Sequence, residues 1–137
     1  MKLTNTHMKR KAGMTLLELT VVILVLLSLI SILFIGARAW KKGSDRAANI
    51  LNIRNVQQAV RAHANVRGLA ISDSLDDSEI VGPGKYLNSV TSPVTSAMTY
   101  AYLDEVPPMG TLYLDVTYIG SDDEATYGPT AGSYSEW

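Results

Sequence analysis

The 137-residue sequence contains no cysteine, which removes disulfide bonds and thiolate metal sites together. Histidine occurs only at His7 and His63, so no local pair exists to share a metal or relay a proton. No G-x-S-x-G or H-E-x-x-H stretch is present. Gly82-Pro83-Gly84-Lys85 is glycine-rich with a lysine, yet it lacks the phosphate-loop spacing and its Ser/Thr. These absences argue against an enzyme, and His63 reads as a packing or surface residue. Aromatics are scarce as well. Trp40 is the only one among residues 38–67, where seven Lys/Arg gather, so a basic stretch that could touch phosphates has no stacking platform. Nucleic acid is not an expected partner.

What is present is unevenly spread. The net charge of −1 hides a basic stem and an acidic head: +4 over residues 1–13, +6 over 38–67 and −10 from Gly68 onward. Leu16 to Ile35 is a run of twenty residues interrupted only by Glu18, Thr20, Ser28 and Ser31. At about 1.5 Å per residue it matches the roughly 30 Å hydrocarbon thickness of a bilayer. Hydroxyl side chains can bond back to the helix backbone, so they do not oppose that reading. Beyond it, no proline and one internal glycine, Gly43, occur between Arg38 and Arg67. Ile50, Ile53, Val56 or Gln57, Val60 and Ala64 recur at three- and four-residue spacing. Asn, Gln and Arg are expected on the other faces. Thr15 to about Arg67 therefore reads as one helix of roughly 80 Å, with Gly68 as its stop and Gly43-Ser44 as a point where it could bend.

After Gly68 the pattern changes. Ser72 to Ser78 reads as a solvated loop and Gly82-Pro83-Gly84 as a turn. Met98 to Leu103 alternates with Met98, Tyr100 and Tyr102 on one face, and Thr111 to Ile119 alternates with Leu112, Leu114, Val116 and Tyr118 on one face. Asp104 to Gly110 connects them as a hairpin. A third short strand is expected at Ala125 to Tyr127. The tyrosines read as sheet core or exposed surface. There is no internal repeat.

A carboxylate in an apolar run costs a few kcal/mol on insertion scales, and Glu18 stands in a recognisable setting. Lys9-Arg10-Lys11-Ala12-Gly13, then Met14-Thr15-Leu16-Leu17-Glu18-Leu19, resembles the processing site of type IV pilins and type II secretion pseudopilins. The resemblance covers about residues 9 to 67. It implies a pilin-like α+β fold: one long N-terminal helix, membrane-spanning in its first half, packed on a small antiparallel sheet. It divides the chain into a leader at 1–13, a transmembrane and filament-core helix at 14–37, an amphipathic continuation at 38–67 and a β-rich head at 68–137. It implies cleavage by a prepilin peptidase between Gly13 and Met14, N-methylation of Met14, and an assembly role for Glu18 against the terminal ammonium of a neighbour. Implied partners are copies of the chain, other pilin-like subunits, the peptidase, an inner-membrane assembly platform and membrane lipid, with the head periplasmic. Three departures stand out: Met14 replaces the commoner phenylalanine, Ile35 stands where many members have a helix-bending proline, and no cysteine pair closes a C-terminal loop.

Within that resemblance a secretion pseudopilin and a subunit of a surface pilus both remain open, the compact cysteine-free acidic head favouring the first. Outside it, Ala37-Arg38-Ala39 resembles a signal-peptidase site, and cleavage before Trp40 would release a soluble product; the apolar run exceeds the usual 7–15 residues of a signal sequence. An unrelated single-pass anchor is a further alternative. Lys/Arg near both ends of the span leave orientation undecided by charge alone, and Trp40 with Lys41 and Lys42 marks an interface. Arg54 and Arg61, seven apart on one helix face, are expected to meet acidic heads of adjacent subunits. No cofactor is expected. Asp122, Asp123 and Glu124 are weak calcium candidates, since some major pseudopilins hold calcium in a C-terminal loop, but they lack regular ligand spacing.

Overall fold

The computed structural model describes residues 15–137 and has an α+β layout. A 52-residue helix, α1, runs from Leu16 to Arg67. A 3-10 turn follows at Asp77–Glu79. Strand β1 (Met98–Tyr102) pairs antiparallel with β2 (Leu114–Tyr118), and a five-residue helix α2 closes the order at Asp123–Tyr127. The chain divides into two compact units, Met1–Arg38 and Ala39–Trp137.

In the first unit the described helical residues are exposed on every face. The stretch is long and apolar enough to cross a membrane. Its hydroxyls turn inward on the helix, as the sequence suggested: Thr20, Ser28 and Ser31 donate to the carbonyls of Leu17, Val25 and Leu27 at 2.7–2.8 Å. None of them therefore presents an unsatisfied donor to a lipid or protein surrounding.

The second unit holds the core. The end of α1 falls where glycine predicts it. Gly68 adopts φ +69°, and Leu69 N–H reaches back 2.9 Å to Ala64 carbonyl, the reverse turn that a left-handed residue after a helix permits. Ile53, Val56, Val60 and Ala64 of α1 pack with Leu75, Ile80, Val106, Tyr113 and Leu114. A smaller cluster forms where Met98 meets Ala97 and Tyr127. Strand register places Met98 opposite Tyr118, Tyr100 opposite Val116 and Tyr102 opposite Leu114, so the alternating residues of both strands share one face.

The structure departs from expectation in four places. Asn49 is buried on the packed face of α1 although its polarity suggests solvent, Ile50 is only half-buried, and Val56 and Gln57, alternatives on the stripe, are both buried. Residues 111–113 precede β2 rather than belong to it, because Gln57 occupies their hydrogen bonds: its amide donates to Thr111 carbonyl at 3.1 Å and accepts from Tyr113 N–H at 3.0 Å. The loop at Ser72 to Ser78 is not wholly solvated. Leu75 is buried, and the segment pairs with the hairpin connection through Leu75 N–H to Asp104 carbonyl and Val106 N–H to Asp73 carbonyl, both 2.9 Å. Finally, Ala125 to Tyr127 is helical, not a third strand. Three residues are too few to impose a two-residue period, whereas acids at the start of α2 suit a helix N-terminus. Gly128 then ends it in extended backbone, with N–H to Glu124 carbonyl at 2.7 Å.

Gln57→Leu should lower the unfolding free energy of the second unit by about 2 kcal/mol, since it strands the buried Tyr113 N–H at about 1–3 kcal/mol and releases the part-buried Thr111 carbonyl. Gln58→Leu, one residue away and exposed, should stay within about 0.5 kcal/mol. Denaturant midpoints of the detergent-solubilised chain, read by tyrosine and tryptophan fluorescence, compare the two.

Candidate functional site

The helix start shows what Glu18 does within its own chain. Thr15 carbonyl accepts the first intrahelical bond, from Leu19 N–H at 3.1 Å. Thr15 Oγ1 accepts from Glu18 N–H at 3.3 Å, and Glu18 Oε2 accepts from Thr15 N–H at 3.1 Å. This is a reciprocal capping box in which two otherwise orphaned amide donors are satisfied by the side chains three residues apart. The Thr15-x-x-Glu18 spacing carries that signal in the sequence. It was obscured there by the apolar run that follows. Gly13 and Met14 lie outside the described residues.

Further along α1, polar side chains fix the rest of the second unit to the helix. Asn49 donates to Tyr127 carbonyl at 3.0 Å and to Tyr118 hydroxyl at 3.3 Å, and it accepts from Tyr100 hydroxyl at 2.7 Å. Asn52 donates to Thr91 carbonyl at 3.0 Å and Tyr100 hydroxyl at 3.2 Å. Arg46 donates to Gly128 carbonyl at 3.1 Å. Burial pushes the phenols of Tyr100 and Tyr118 up, partly opposed by the hydrogen bonds from Asn52 and Asn49. Tyr113 is pushed up furthest, by burial and then by the nearby Asp77, Asp76 and Asp104 charges. Its hydroxyl donates to Leu75 carbonyl at 3.0 Å.

His63 is buried, as a packing residue would be. Its Nε2 lies 3.3 Å from Glu79 Oε2 without hydrogen-bond alignment, and its ring meets Tyr86 edge-on at 5.7 Å. Arg54 and Arg61 are engaged inside their own unit. Arg61 donates to the main-chain oxygens of Pro107 at 3.0 Å and Trp137 at 3.2 Å, and the Arg54 guanidinium sits 4.6 Å over the Trp137 ring. Neither forms an ion pair among the described residues. Elsewhere on the stem its one acid, Asp45, pairs with Lys41 at 2.9 Å and Arg67 lies 3.9 Å from Glu79, exposed pairs of small energetic weight.

Asp122, Asp123 and Glu124 fall at the start of α2. Asp123 accepts from Gly120 N–H at 2.8 Å, so its carboxylate shapes the turn. Among the described residues no group of three His, Cys, Asp or Glu side chains is placed to hold a metal ion. Comparison of the chain with protein-family models, with curated proteins and with solved structures finds no match.

Two predictions follow from this geometry. Glu18→Gln keeps the acceptor oxygen of the capping box and should leave amide exchange at residues 16–19 near the unsubstituted rate. Glu18→Ala removes it and should speed that exchange about fivefold, the equivalent of about 1 kcal/mol, measured by hydrogen exchange in micelles. In alkaline titration, a phenol raised in the folded state contributes stability below its unfolded value of about 10 that is lost as pH climbs through the folded value. Tyr100, Tyr113 and Tyr118 should therefore form phenolate above pH of about 10 only together with unfolding, seen as coincident ultraviolet absorbance and circular dichroism transitions.

Proposed function

We propose that the chain is a structural subunit of a pilin-like filament, held in a bacterial inner membrane before assembly and acting in a type II secretion pseudopilus. The observation that carries the reading is the first unit itself. An apolar helical run exposed on every face starts at a single capped carboxylate, Glu18, directly after the Gly13-Met14 junction in the sequence. Such a surface needs cover, and lipid before assembly and neighbouring helices afterwards both supply it. Exchange between the two demands no large step in apolar burial, because lipid tails and aliphatic side chains are similar surroundings.

In this reading a prepilin peptidase removes residues 1–13 and Met14 becomes the N-methylated terminus. The helix core is then built from copies of the chain and other pilin-like subunits, and the acidic head faces the periplasm. A surface pilus would use the same parts; the acidic, cysteine-free head favours the secretion role. Mass spectrometry of the mature protein from membranes of its native host tests the assignment. N-methyl-Met14 is the expected terminus. A start at Trp40 or an intact Met1 would overturn it. Deletion should abolish protein export while leaving any surface filaments in place; the reverse phenotype would move the subunit to a surface pilus.

A further inference from the structure

The second unit carries two charged surfaces, one with two arginines and one with clustered carboxylates. One is a cavity of about 580 Å³ lined by Arg54, Gln58, Arg61, Met109, Glu136 and Trp137. Arg61 donates to the main-chain oxygens of Pro107 and Trp137, which fix the orientation of its guanidinium. The Arg54 guanidinium carbon sits 4.6 Å over the Trp137 ring, a cation–π contact that leaves guanidinium N–H donors for a carboxylate. Glu136 shares the wall without pairing to either arginine. Met109 and the indole supply an apolar floor; Met109 is two-thirds exposed.

The other surface is the ridge built where residues 72–75 pair with residues 104–106. Asp76, Asp77 and Asp104 are all exposed there, and none forms an ion pair among the described residues. Asp76 is held in place by Ser78 N–H at 2.9 Å, which presents the Asp77 carboxylate beside it at the start of the 3-10 turn. The ridge and the cavity are different patches of one unit, built from different segments.

We infer that the Arg54–Arg61–Trp137 cavity of one copy receives the Asp76–Asp77 turn of a second copy. The inference rests on the filament reading and supplies its lateral contact. Unlike patches meeting head to tail give a heterologous interface, which propagates instead of closing. A carboxylate against a guanidinium offers a charge-assisted, bidentate bond, and the exposed position makes the contact sensitive to salt.

The absence of native cysteine makes the test direct. The full chain carrying Gln58→Cys and Ser78→Cys, both at exposed positions, is oxidised in membranes. A ladder of covalent oligomers is expected, whereas each single variant should give no more than dimers. Adding Arg54→Glu should cut the ladder several-fold, and adding Asp77→Arg to that variant should restore it. Salt of about 1 M, where the screening length is about 3 Å, should also weaken it. Leu24→Cys, in the apolar run, serves as the control for assembly itself. Dimers from Leu24→Cys without a ladder from the 58/78 pair would overturn the head contact and leave the filament reading standing. No crosslink from either would overturn both. A ladder indifferent to charge reversal and to salt would also overturn the proposed contact.

Discussion

The two amide side chains buried on α1, Asn49 and Gln57, do the work that a third strand does in larger sheets. A two-stranded antiparallel pair is marginal in water by itself, and β1 and β2 have only five paired residues each. Gln57 bonds the chain just before β2 begins, at Thr111 and Tyr113, and Asn49 bonds it where β2 ends, at Tyr118 and Tyr127. Helix and strand therefore run antiparallel and are pinned at both ends, with Ile53 in the core between the pins. Sliding either element by one residue would break amide pairs that lie away from water, where a stranded donor or acceptor is costly.

That arrangement also explains why the core can be so small. Aliphatic contact alone between one helix face and two short strands is non-directional and tolerates slippage. The Asn49–Tyr100–Asn52 network adds direction. Tyr100 and Tyr118, phenols that burial makes hard to ionise, both find amide side-chain partners, and a partnered network of this kind specifies one arrangement over its neighbours. Arg46 and Arg61 extend the same logic to the Gly128 and Trp137 segments, whose main-chain oxygens they bind. The stem thereby acts as template for the rest of the unit, through hydrogen bonds between residues far apart in sequence.

Much of this was legible before the structure. The long helix, its stop at Gly68, the two strands and the residues sharing their inner face follow from periods of 3.6 and 2. What failed to show was chemistry that periodicity does not encode. Asn49 lies four residues before Ile53, so spacing alone would put it inward; its polarity argues otherwise, because no sequence rule names the partner that makes burial tolerable. Arg61 is expected from the sequence to meet an acidic neighbour, because the main-chain oxygens of Pro107 and Trp137 that it binds leave no signature there. Ala125 to Tyr127 was too short for any period. At the candidate site, the Thr15-x-x-Glu18 spacing was visible, and only the expectation of an intermolecular role drew attention from the local one.

The local role does not compete with the intermolecular one. An ionised carboxylate has two oxygens and about four acceptor positions. Thr15 N–H takes one of them, on Oε2, and leaves Oε1 for another donor. Placement in the first turn adds a favourable interaction with the helix N-terminus of about 0.3–1 kcal/mol. Both terms lower the cost of carrying a charge at the head of an apolar run while the subunit is alone. They do not remove it, since a carboxylate moved out of water still loses several kcal/mol of solvation. On the filament reading, the remaining oxygen would meet the ammonium of a neighbour, and the capping box would hold the carboxylate in one rotamer before that partner arrives. Preorganisation of this kind reduces the entropy lost on association. Glu18 is then a residue whose first duty, closing its own helix, prepares the geometry of its second.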